Sequence, residues 1–94
     1  MLDVSGNKIL HIQDITYLSR LDTLFLRDNK IKDIRLLKNN TSLVILDVSS
    51  NKITDFNSLQ SLTNLEYLNA SDNPSINNDL LCHVLSIKTC ILRF

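Results

Sequence analysis

The sequence predicts an α/β solenoid, with short parallel strands along one wall and loosely helical return segments along the other. Three observations carry this. Asn7, Asn29, Asn51 and Asn73 recur every 22 residues. Each follows an alternating apolar pair: Leu2/Val4, Leu24/Leu26, Leu46/Val48 and Leu68/Ala70. Beyond each Asn the apolar residues switch to a spacing of three, in the columns Ile9/Ile31/Ile53, Ile12/Ile34/Phe56, Ile15/Leu37/Leu59 and Leu18/Asn40/Leu62. A fixed period of a few tens of residues marks a repeat architecture, whose units stack to bury an edge that none buries alone.

Each element follows from its spacing. Leu21, Leu43 and Leu65 stand three residues before their pairs, so the repeat opens Leu-x-x-Leu-x-Leu and ends in period two. That is a short strand with one buried face. The Asn closes the strand, because its amide both accepts and donates and so satisfies backbone groups where the chain bends inward. The period of three suits a 3₁₀-like return, in which residues three apart eclipse. The repeats run over about 1–20, 21–42, 43–64 and 65–86, all in one domain. Asn40 leaves a polar gap in an apolar column. The fourth copy, Asn73-Pro74-Ser75-Ile76, carries one extra residue. Asp79 to Leu85 then reads as a short helix that Asn77 or Asn78 caps. Ile87, Cys90 and Leu92 follow Leu65, Leu68 and Ala70 by 22, which predicts a closing strand over 87–94. The chain opens inside a repeat, with Leu2 already in a strand. A C-terminal piece of a longer array, with an uncovered apolar end, is therefore expected.

Composition narrows the function. Ten basic residues balance ten acidic ones, which argues against nucleic acid, since phosphate binding leans on surplus Lys and Arg. No run of 18 uncharged apolar residues exists, so no membrane span is expected. Met1 to Lys8 shows no secretory signal. A single Gly excludes a phosphate-cradling loop, and no catalytic motif appears. The expectation is no enzyme activity, no cofactor and no small-molecule substrate. Cys82, His83 and Cys90 match no zinc spacing and lack a fourth ligand. The two cysteines read instead as free, partly buried thiols in a reducing compartment, which predicts a cytoplasmic protein.

The informative positions are those between the column leucines, which point to the opposite, concave face of the strands. One such row is Thr23, Ile45, Tyr67, Thr89. The next is Asp3, Phe25, Asp47, Asn69, Ile91, and a third is Ser5, Arg27, Ser49, Ser71, Arg93. Phe25, Ile45 and Tyr67 form a diagonal apolar-aromatic group edged by Asp3, Asp47, Arg27 and Glu66, the composition of a binding hot spot. The candidate protein-binding residues are Phe25, Ile45, Tyr67, Arg27, Asp47 and Asn69. Lys30, Lys32, Arg35 and Lys38 interleave with Asp28 and Asp33 and read as a solvated convex edge.

The pattern Leu-x-x-Leu-x-Leu-x-x-Asn-x-Ile-x-x-Ile-x-x-Leu resembles the leucine-rich repeat family. Its 22-residue length is similar to the subtype of the protein phosphatase 1 regulatory subunit, axonemal dynein light chains and a spliceosomal scaffold protein. Bacterial internalins carry a very similar unit, and Asn51-Lys-Ile-Thr-Asp-Phe and Leu62-Thr-Asn-Leu fit either group. The resemblance implies a short array of about four repeats plus a C-terminal closing unit. The function expected from the outward strand residues is a non-catalytic module binding a protein partner on its concave face, and the repeat subtype adds a phosphatase-regulatory, cytoskeletal or ciliary adaptor as its setting. The alternatives are a structural capping segment of a longer scaffold, or an internalin-like bacterial surface adhesin.

Overall fold

The computed structural model describes residues 1–9, 11–13, 15, 17–74 and 87–92. The alternating pairs form five parallel strands in one sheet, ordered as in the chain: β1 (Leu2–Asp3), β2 (Thr23–Phe25), β3 (Ile45–Asp47), β4 (Tyr67–Asn69) and β5 (Thr89–Ile91). Leu2, Leu24, Leu46, Leu68 and Cys90 are register partners in succession, so every step is 22 residues. The period-three segments of the second and third repeats become 3₁₀ turns, Arg35–Asn39 and Asn57–Ser61, which pack on one another. An Asx turn precedes each: Asp33 Oδ1 accepts the Arg35 N–H at 2.9 Å, and Asp55 Oδ1 the Asn57 N–H at 2.8 Å.

The core is the set of stacked columns that the spacing predicts. Leu24, Leu46 and Leu68 are sealed, as are Leu26, Val48, Ile31, Ile53, Leu37, Leu59 and Leu43, with Ala70, Ile34, Phe56 and Leu65 buried around them. Fully burying each Leu or Ile contributes about 1.5–3 kcal/mol relative to exposure, which outweighs the weak propensity of such short strands. Leu2, Val4 and Ile9 are half-buried. Ile12, expected at the uncovered end, is in fact only 2% exposed.

Three local devices turn the chain where strands end. First, Asp3, Asp47 and Asn69 each accept, through Oδ1, the backbone N–H two residues on, from Ser5, Ser49 and Ser71. Second, Gly6, Asp28, Ser50 and Asp72, again 22 apart, hold positive φ of 71°, 58°, 55° and 55°. Only Gly adopts that region without steric cost, and Asp tolerates it better than most. Third, the ladder Asn follows immediately. Asn51 Nδ2 donates to the carbonyls of Val48 and Ser49 in its own repeat and of Leu26 in the preceding one, at 3.0, 3.1 and 3.0 Å. Asn73 repeats this with Ala70, Ser71 and Val48, and Asn29 with Leu26, Arg27 and Val4.

Two expectations change. Cys90 is not the free thiol expected: it is disulfide-bonded, and no cysteine is free among the described residues. Its register with Leu68 lays it half-buried over the last core column. The closing strand is shorter than expected, Thr89–Ile91. The helix expected over Asp79 to Leu85 lies outside the described residues, as do Cys82 and His83. Asn40 has not swung out: it is sealed in its column, its Nδ2 donating to the Leu18 carbonyl at 3.3 Å and its Oδ1 without a partner.

Candidate protein-binding face

The sheet buries one face against the returns and leaves the other open. Parallel pairing sets the open-face residues in rows one strand spacing, about 4.8 Å, apart. Thr23, Ile45, Tyr67 and Thr89 are register partners along one row; Asp3, Phe25, Asp47, Asn69 and Ile91 are partners along the next. Both rows are as the alternation predicts. Ile45 and Tyr67 are neighbours on adjacent strands, and Phe25 lies diagonal to Ile45 across β2 and β3. All three side chains are half-buried, whereas Arg27 is exposed. The face therefore gathers an apolar trio with a cation beside it.

Asp47 and Asn69 hold this face together as well as decorating it. Asp47 is 9% exposed, and its Oδ1 accepts both the Ser49 N–H at 2.9 Å and the Ser49 hydroxyl at 2.6 Å. Asn69 is half-buried and holds the Ser71 N–H at 3.1 Å. The signal for this was an acid or amide two residues before Ser, in copies one, three and four. Asp3 is exposed, and hydrogen bonding from Ser5, chiefly from its backbone N–H, holds its carboxyl below the usual carboxylate range. Glu66, at the edge, is joined to Lys88 at 2.7 Å, which raises the Lys88 ammonium pKa.

On the convex side one acid and one base are already paired. Arg35 forms a two-pronged pair with Asp33, at 3.0 and 2.8 Å, which lowers the Asp33 pKa and raises that of Arg35. His11 is exposed. Among the described residues no group of three or more His, Cys, Asp or Glu is placed to hold a metal ion. Nor does any helix among them have the length and apolarity to cross a membrane.

Comparison with known proteins agrees with this geometry. The family model described as Leucine Rich repeats (2 copies) matches residues 19–61. The crystal structure of an internalin from Listeria monocytogenes superposes with a TM-score of 0.86 at 30% identity, over 94% of this chain and 26% of its own. The leucine-rich repeat ectodomain of the receptor kinase SOBIR1 from Arabidopsis thaliana gives 0.77 at 26% identity, over 98% of this chain and 55% of its own. The chain thus spans about a quarter of the internalin and just over half of the receptor ectodomain. No curated relative matches. With the two-copy model on residues 19–61 and five in-register strands along the chain, this protein has the leucine-rich repeat fold.

Proposed function

We propose that this chain is a non-catalytic protein-interaction module that binds a protein partner on the open face of its sheet. The observation that carries this is the clustering of Phe25, Ile45 and Tyr67, half-exposed and adjacent, on a face that the returns leave uncovered. Leucine-rich repeat domains generally mediate protein–protein contacts. Large side chains grouped at the centre of a rigid sheet supply binding energy at little ordering cost. Arg27, Asp47 and Asn69, beside the trio, then set orientation. The test is capture of the partner by the intact protein and its variants. Tyr67→Ala and Phe25→Ala weaken capture by about 2 kcal/mol, roughly thirtyfold. Lys32→Ala and Arg35→Ala, on the far side, change it by under about 1 kcal/mol. Loss of capture in the far-side pair alone places the partner on the outside of the coil and ends this reading.

The setting of the module has two readings. The phosphatase-regulatory or ciliary adaptor is a cytoplasmic reading, and it rests on the repeat length. An exported, adhesin-like surface module is supported by the disulfide at Cys90, since such bonds persist in oxidising compartments. The 30% identity to the internalin supports the same side. We favour the exported setting.

A further inference from the structure

Phe25 has a carboxylate on each side. Its register partners are Asp3 on β1 and Asp47 on β3, on the same open face and each one strand spacing away. The Asp47 side chain is nine-tenths buried, and both hydrogen bonds it accepts fall on Oδ1. Its Oδ2 accepts none from the described residues. Neither Asp3 nor Asp47 is in an ion pair: among the described residues the two pairs are Arg35 with Asp33 and Lys88 with Glu66. A largely desolvated carboxylate with half its acceptor capacity unused gains most from a cation. The face of an aromatic ring attracts the same charge.

We infer that the Asp3–Phe25–Asp47 row receives a Lys or Arg side chain of the partner protein, while Ile45 and Tyr67 take an apolar side chain beside it. The inference rests on the open face being the binding face, and it adds the chemistry of what binds. The cation lies over the Phe25 ring, with its N–H groups donating to Asp47 Oδ2 on one side and to Asp3 on the other. Arg27 stands two residues further along the chain on the same face, about 6.6 Å from Phe25 by strand geometry. It repels a second cation and favours an acidic group there. The face therefore orders the partner's side chains as apolar, basic, acidic along the strand direction, which fixes the orientation of docking as well as its place.

The test uses two short synthetic peptides that differ only in a central Arg or Glu between leucines, titrated into the isotope-labelled full chain and followed by NMR. The Arg peptide shifts the amides of Asp3, Phe25 and Asp47 and binds several-fold more tightly than the Glu peptide, as expected for one or two partly exposed ion pairs. Asp3→Asn and Asp47→Asn keep the Oδ1 acceptors that the serines need and remove the charge together with the second carboxylate oxygen. Each reduces the Arg-over-Glu preference at least about twofold without shifting the melting temperature. Equal binding of the two peptides at the open face, or a preference for Glu, overturns this inference and leaves the binding face standing. Shifts confined to the return segments overturn both. Absence of shifts with either peptide overturns the inference.

Discussion

Asn51 reaches back one turn of the stack to Ile31, its Oδ1 accepting the Ile31 backbone N–H at 3.1 Å while its Nδ2 binds carbonyls on both turns. Both residues are buried, so no water replaces these bonds. Asn51→Ala should lower stability by about 1–3 kcal/mol by leaving the Ile31 N–H and the Leu26 carbonyl short of a partner. Asn7 is exposed and reaches the carbonyls of Val4 and Ser5 in its own turn, so Asn7→Ala should cost less. Equal melting temperatures for Asn51→Ala and the parent would refute the ladder.

Asn40 sets up the opposite experiment. Its Oδ1 is buried without a partner, in line with Leu62 of the next repeat. Asn40→Leu gives up one long bond to the Leu18 carbonyl and removes an orphaned acceptor. The expected gain is on the order of 1 kcal/mol, or about 4–8 °C in melting temperature for a domain of this size. A fall in melting temperature would mean that the column has no room for the extra branch.

The positive-φ column predicts a rank order. A Cβ built on Gly6 meets nothing within 4 Å, so Gly6→Ala isolates the backbone term. At φ 71° it should cost about 1 kcal/mol. Ser50→Val should cost at least as much, because a branched side chain fits φ 55° poorly, whereas Ser50→Gly should be close to neutral. Denaturant midpoints for the three variants check this. A Ser50→Val midpoint equal to the parent's would remove the conformational argument.

The disulfide is checked by thiol labelling. Unfolded but unreduced chain should take up no alkylating reagent, and reduced chain should take up two equivalents, one per cysteine. Uptake of two before reduction would return the protein to the reducing-compartment reading.

Asp33 gives the acid response. Arg35 donates to its carboxylate from both side chain and backbone and holds its pKa down in the folded state. A lowered folded-state pKa contributes stability above the unfolded value, and that stability is lost as pH falls below about 4 through the folded value. The pair is exposed, so the stability effect is small and screened by salt. The direct check is the Asp33 carboxyl titration by NMR. Its midpoint should lie below that of an ordinary aspartate and rise in Arg35→Ala. A midpoint unmoved by Arg35→Ala would refute the pairing in solution.

The apolar columns and strand register were legible because one period governs the chain, and alternation alone put Phe25, Ile45 and Tyr67 on the open face. Other features had no comparable mark. Gly6 announces a positive φ, but Asp28, Ser50 and Asp72 at equivalent positions do not, since those residue types sit equally well in ordinary turns. Alternation puts Asp47 beside the trio but does not show its attachment to Ser49, which depends on how the strand ends. The state of Cys90 was misread because sequence spacing carries no information on whether two Cβ atoms approach within bonding geometry.

The single offset of 22 between all strand pairs has a consequence for how such a chain can change length. Removing residues 43–64 would bring Leu68 against Leu24 and Asn73 behind Leu26, joining like to like. Removing one residue from the middle of a return would break that return's spacing of three and turn polar groups toward the core there. Whole-turn duplications and deletions preserve the packing that already exists, whereas odd-sized ones must build new packing. Length in this molecule is quantised, and homologous chains of different size should differ by multiples of one turn.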